Sequence, residues 1–201
     1  SWAHKVGLSD QIPLPERESN YQVVSVDGSQ IYPDRHQGIS CYLLNTGSVN
    51  FIYNHESKVI FDSEPQLFFS KSEAEDPEII NCKRSELELK KGLEIMLDSQ
   101  EIKNLENQDS NSYNSLFLID GSIIFWHLQS KPEEIKTEFL GSYLGILDKF
   151  YKKNILFAGY ISLAKSKELV TILRSVLKKN NIEQNLEYIV DSDLISMFLK
   201  S

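Results

Sequence analysis

The feature that most constrains the fold is a change of rhythm part-way along the chain. Residues 21–69 hold three β-rich runs in succession, "YQVVSVDGSQIYP", "ISCYLLNTGSVNFIYN" and "KVIFDSEPQLFF", separated by the turn-forming clusters "DRHQG" and "NHESK". A β-meander is the simplest arrangement of such runs. A polar, acidic stretch, "SKSEAEDPE", then leads into a helical pattern from about Ile79 to Ile102, and "NLENQDSNSYNS" has the composition of a surface loop. From there strands and helices alternate: strand "SLFLIDGSIIFW", helix "PEEIKTEFLGSYLGILDKFYKK", strand "NILFAGYISLA", helix "SKELVTILRSVLKKN" and a closing strand "EYIV".

Alternation of this kind implies parallel crossovers, whereas a meander is antiparallel. Three meandering strands followed by βαβ units describe an α/β protein with a mixed sheet and helices on its faces. That is the element order of the ribonuclease H-like fold. With 201 residues, 41% of them hydrophobic, the chain can form one domain with a sizeable core, so residues 1–201 are taken as a single core domain. The final "DSDLISMFLKS" starts an amphipathic helix, with Asp191 or Ser192 as its cap, and stops within it, so a C-terminal part is expected to be missing. No run approaches the ~18 apolar residues of a membrane span and no leader opens the chain, which predicts a cytoplasmic protein. Cys41 and Cys82 lack metal-ligand spacing and are expected to be reduced, buried thiols.

Two of the strands share a motif. "VVSVDGSQI" at residues 23–31 and "LFLIDGSII" at residues 116–124 are both apolar runs that carry Asp-Gly-Ser and then resume. Asp-Gly is an ordinary turn signal, but Asp inside a strand is disfavoured unless something compensates it. Between the two strands, the helical pattern places Glu86 within about 80° of Leu89, Leu93, Met96 and Leu97, inside the apolar stripe. Its rival Glu88 falls on the opposite, solvated side. A core-facing carboxylate needs a partner, because burying an unpaired charge costs several kcal/mol. A divalent cation held by Asp27, Glu86 and Asp120 supplies one.

Charge is unevenly spread. Residues 1–150 hold 13 basic and 24 acidic side chains, while residues 151–201 hold 8 and 5. A net charge of −8 argues against binding nucleic acid through the overall field, whereas clustered carboxylates suit oxygen-loving Mn²⁺ or Mg²⁺. Two such ions about 4 Å apart activate water and stabilise the leaving oxygen in phosphodiester hydrolysis. Arg35 and His36 sit in the loop after the first Asp strand, where a DNA strand could run, and His127 follows the second. Tyr143, Phe150 and Tyr151 read as core or dimer contacts.

The run "VVSVDGSQIYPDRHQGISCYLLNTGSVNFIY", the helix "KRSELELKKGLEIM", the strand "LFLIDGSIIFW" and the later "LFAGYISLAKSKEL" resemble successive blocks of the NurA nuclease family. The resemblance implies a ribonuclease H-like core, dependence on Mn²⁺ (or Mg²⁺), degradation of DNA at its ends, and a homodimer docked on a HerA-like hexameric ATPase that translocates DNA. Carried onto this chain, the family's acidic residues fall on Asp27, Glu86 and Asp120, as catalytic residues and metal ligands. Lys165 matches a lysine block and becomes a candidate phosphate contact beside Arg35. The family's functional His near the C-terminus has no counterpart here, since His4, His36, His55 and His127 all lie elsewhere.

Two other classes compete with a DNA nuclease. An ATPase of the actin and sugar-kinase type also repeats Asp-and-Gly strand turns around phosphate, although those loops usually read Asp-x-Gly. A non-catalytic interaction subunit would keep the fold without the chemistry. Mn²⁺-dependent cleavage separates the first reading from both, and ATP binding separates the second.

Overall fold

The computed structural model describes residues 13–14, 16–34, 41–69, 76–105, 114–162 and 164–199. The chain divides into two compact units. Residues 18–160 form one, and residues 1–17 with 161–201 form the other.

The larger unit is built on a five-stranded mixed sheet. β1 (Tyr21–Ile31), β2 (Cys41–Tyr53) and β3 (Lys58–Phe69) form the antiparallel meander; β4 (Asn114–Asp120) pairs parallel to β1, and β5 (Leu156–Tyr160) parallel to β4. The strand order is β3-β2-β1-β4-β5, the ribonuclease H-like arrangement. The β2–β3 turn is fixed by the Asn54 side chain, which accepts the Glu56 N–H at 2.9 Å. On β1 the side chains of Gln22, Val24 and Val26 are buried on one face, and the alternation continues on β2 with Tyr42, Leu44, Thr46 and Ser48.

Helix α1 (Pro77–Leu105) lies on that face. It starts two residues before the position read from the apolar pattern, because Asp76 and Pro77 form its cap: the Asp76 carboxylate accepts the Glu78 N–H at 2.9 Å. Leu89, Leu93 and Met96 pack with Val24, Val26 and Phe117 in the main core. Gly92 marks a close approach, since a Cβ there would meet the Phe117 ring at 2.3 Å. Helix α2 (Glu133–Lys152) covers the same side. Its Phe150 stacks on Phe117 with ring centroids 5.2 Å apart, and its buried Tyr143 donates to the Cys82 carbonyl at 2.7 Å. Tyr143 and Phe150 are thus core residues, whereas Tyr151 is 78% exposed. Cys82 is buried and Cys41 half-buried, both as free thiols.

In the smaller unit, α3 (Glu168–Lys179) and α4 (Asp191–Leu199) are joined by the irregular segment 180–190. "EYIV" is not a strand. The segment leads instead into Asp191, whose carboxylate takes the Val170 N–H at 2.9 Å and the Ser166 hydroxyl at 2.7 Å, so that the residue expected to cap α4 caps α3. Those bonds hold the Asp191 carboxyl below its usual range despite the opposing effect of desolvation. No helix among the described residues is long and apolar enough to cross a membrane.

Candidate metal centre

The two Asp-Gly-Ser stretches end on neighbouring strands. β1 and β4 run parallel with Val26 opposite Ile119, and one step further along the same register Asp27 stands beside Asp120. Both point to the face away from α1, since Val26 and Phe117 point toward it. Across the sheet, Asp27 pairs with Gly47 and Gly47 with Ser63, while Asp120 pairs with Tyr160. The two carboxylates therefore occupy a row with only the small Gly47 on the β2 side. Connections leave β1 toward β2 and β4 toward β5, so the junction between β1 and β4 is the topological switch point of the sheet, where open α/β sheets commonly bind ligands.

The strands part company after the Asp residues. β4 ends at Asp120, where Gly121 takes φ +104° and donates its N–H to the Tyr160 carbonyl at 2.8 Å; a 3-10 turn follows at Trp126–Leu128. The strand expected to run on through "IIFW" is thus broken at Gly121. β1 instead continues to Ile31, which leaves Gly28 with an edge that β4 no longer covers. α1 covers it. The Gly28 N–H donates to Glu88 Oε1 at 2.9 Å, and Arg84 Nη1 donates to the Gly28 carbonyl at 2.9 Å. Arg84 Nη1 and Glu88 Oε1 are themselves 2.7 Å apart, so this ion pair gives β1 one acceptor and one donor in place of a strand. A side chain at position 28 would not fit, because a Cβ there would lie 2.5 Å from Glu88 Oε1 and 2.7 Å from Arg84 Cγ.

The two helical glutamates are thereby distinguished. Glu86 faces α2, where it accepts the Ser142 hydroxyl and pairs with Lys90 at 2.8 Å. Burial would raise its carboxyl, but Lys90, Ser142 and Lys83 outweigh burial and hold it below the usual range. Glu88 behaves in the opposite way. Burial pushes its carboxyl up, Arg84 and the Gly28 N–H pull it down, and the charges of Asp27 and Asp120 add to the upward push. The field of both aspartates thus reaches Glu88. The wheel placed Glu88 in solvent because it assumed one covered face, whereas α1 is covered by the sheet and by α2.

Among the described residues no three His, Cys, Asp or Glu side chains stand together as a metal-binding group. The structure brings Asp27 and Asp120 side by side, with Glu88 approaching β1 from the α1 side and Glu86 turned toward α2. Lys165 is exposed and belongs to the smaller unit. Arg35 and His36 lie outside the described residues. His127, which follows the second Asp-Gly-Ser stretch, lines a cavity of about 260 Å³ with Ser85, Glu88, Asp120 and Trp126.

Comparison with known proteins places this geometry in context. The NurA domain model matches residues 21–201, a span that includes the five strands and four α-helices of the described residues. The chain belongs to the NurA family. Among solved structures, the NurA nuclease from Sulfolobus solfataricus aligns over 74% of this chain and 50% of its own, at 12% identity and a TM-score of 0.42. The chain therefore spans about half the length of that nuclease. The protease-reverse transcriptase of Prototype Foamy Virus aligns over 86% of this chain and 22% of its own, at 14% identity and a TM-score of 0.36. Comparison with curated proteins returns no match.

Proposed function

We propose that this NurA-family chain is the core of a metal-dependent nuclease that hydrolyses phosphodiester bonds in DNA. The observation that carries the reading is that Asp27 and Asp120 follow directly on the last β1–β4 pair, Val26–Ile119, at the switch point, on one face and on adjacent strands. Neighbouring strands lie about 4.8 Å apart, so two like charges are held close with no lysine or arginine in their cross-strand row. Such a pair fits Mn²⁺ or Mg²⁺, because a small hard cation needs only one or two protein carboxylates and completes its shell with water and phosphate oxygens. The ion would supply an activated water and charge stabilisation for the leaving oxygen.

Asp27 and Asp120 are the ligands in this reading. The third carboxylate is Glu88 rather than Glu86: it comes from the α1 side at the strand end where β4 stops, so an ion shared with the aspartates would sit at that end, and it holds the Gly28 N–H and feels the charge of both aspartates. Arg84 positions that carboxyl from behind, and Gly28 keeps the way clear.

DNA-end processing with a HerA-like hexameric ATPase and a homodimeric assembly completes the proposal. An acidic chain has little field of its own to hold DNA, so a translocase that feeds the strand would provide what the surface lacks. The homodimer is supported by Phe61, Leu67 and Phe69, all more than half exposed on the same sheet face as the aspartates. The test is Mn²⁺-dependent cleavage of linear DNA by the full-length protein, together with DNA affinity measured against salt with and without the ATPase. Cleavage, with weak and weakly salt-dependent binding by the nuclease alone, is expected. No cleavage under any divalent ion would overturn the nuclease reading, and tight, steeply salt-dependent binding would remove the need for the translocase.

A further inference from the structure

We propose that a second cleft, on the α1 side of the strand ends, binds a phosphate group of the nucleic-acid backbone through Arg84, His127 and Lys131. It measures about 520 Å³ and is also lined by Gln30, Tyr32 and Glu78. It shares Ser85 and His127 with the cavity that holds Glu88 and Asp120, so the two are neighbours around one wall. A strand with one phosphate at the carboxylates could place another here.

The chemistry of the cleft selects an anion. Arg84 and Lys131 are cations with little exposure, their side chains 26% and 10% accessible. Arg84 spends Nη1 on Gly28 and Glu88, while its Nε is shut off from solvent without a hydrogen-bond partner among the described residues. A buried donor left over in this way is unfavourable, and an acceptor oxygen that reaches it removes that penalty. Burial, and then the charges of Lys131 and Arg84, push the His127 imidazole below its usual range, and the same two cations favour an incoming anion. The Tyr32 hydroxyl, which donates to Asn81 at 2.9 Å and accepts from Gln30 at 3.0 Å, lines the same cleft.

Glu78 is the built-in competitor. Its carboxylate pairs with Lys131 and is 59% exposed, so it can swing into water when a phosphate takes its place. This gives the site a signature that a plain structural ion pair lacks: removing Glu78 should strengthen anion binding, and removing Lys131 should weaken it.

The proposal rests on the nuclease reading only for the identity of the phosphate, and the test keeps the two apart. The imidazole ¹⁵N signals of His127 are followed in the full chain without divalent metal, against inorganic phosphate and against a six-residue oligothymidylate lacking terminal phosphates. Both ligands are expected to shift His127, the oligonucleotide at about tenfold lower concentration. Glu78→Gln should tighten both about threefold, and Lys131→Gln should weaken both at least fivefold. Glu78→Gln/Lys131→Gln, which leaves no unpaired charge, guards against misfolding and should resemble Lys131→Gln. A response to inorganic phosphate but not to the oligonucleotide overturns the nucleic-acid assignment. Absence of any response, or equal affinities in all variants, overturns the site. Loss of cleavage with an intact oligonucleotide response counts against the nuclease alone.

Discussion

Asp27-Gly28-Ser29 and Asp120-Gly121-Ser122 share three residues and a place on neighbouring strands, yet their glycines serve opposite ends. Gly28 stays in an extended strand and is needed because Glu88 and Arg84 occupy the space of its side chain. Gly121 leaves the strand at φ +104° and meets nothing within 4 Å of a built Cβ, so it is needed for its backbone alone. The same tripeptide thus solves a packing problem on one strand and a turning problem on the next. What the two stretches have in common is the carboxylate just before the glycine.

If that shared carboxylate is the purpose of the repeat, the two aspartates should be equivalent where the glycines are not. Asp27→Asn and Asp120→Asn each keep the shape and remove the charge that would hold a cation. Each is expected to lower Mn²⁺-dependent cleavage by about 10²-fold or more. The double variant should be little worse than either single one, because residues acting as a unit are not additive. Thermal unfolding should be unchanged or slightly raised as like charges are relieved. Full cleavage by either variant would make that Asp-Gly-Ser a structural corner.

The glycines should separate the two stretches by stability. Gly28→Ala forces a methyl group into Glu88 and Arg84 and is expected to cost about 2–3 kcal/mol through overpacking and loss of the bonds to Gly28. Gly121→Ala carries only the backbone cost of positive φ, about 1–2 kcal/mol. Denaturant unfolding of a double-mutant cycle sharpens the distinction. Glu88→Ala should recover part of the loss in Gly28→Ala and none of it in Gly121→Ala. Equal behaviour of both glycines in the cycle would refute the assignment of different roles.

This difference explains which parts of the molecule could be read from the sequence. The meander, the alternation after residue 115 and the placing of both aspartates follow from local patterns of apolar and turn residues, and the sheet order agrees with them. The two Asp-Gly-Ser stretches look alike in sequence because what separates them is non-local: β4 stops at Asp120 and leaves an edge of β1 bare. Glu88 escaped the helical wheel for the same reason. Its partners are backbone atoms of Gly28 on a strand 60 residues away, and no periodicity within a helix reports them. The Asp76-Pro77 start of α1 was a readable signal, hidden by the acidic stretch around it. "EYIV" has strand composition but no strand beside it in the described unit, and a strand exists only by pairing.

The smallest expected effect concerns the glutamates that the two stretches treat differently. Glu88 has a folded pKa above its ordinary 4.5, so its contribution favours the fold below that value and is lost as pH rises through the folded pKa. Glu86 has a folded pKa below 4.5, so its contribution is present above that value and is lost as pH falls. Between pH 4 and pH 7 the melting temperature of Glu88→Gln should therefore rise relative to the unsubstituted protein, while that of Glu86→Gln should fall. Each change should amount to about 3 °C or less for a chain of this size. Because Asp27 and Asp120 both push the Glu88 carboxyl upward, the Glu88 dependence should shrink in Asp27→Asn and in Asp120→Asn, whereas the Glu86 dependence should not move. Melting curves across this pH range for the four single variants and for the four doubles that combine each Glu→Gln with each Asp→Asn would read the coupling directly. If the Glu88 dependence were the same with and without the aspartates, the three carboxylates would not share a field, and the case for Glu88 as the third ligand would fall while that for the Asp27–Asp120 pair stood.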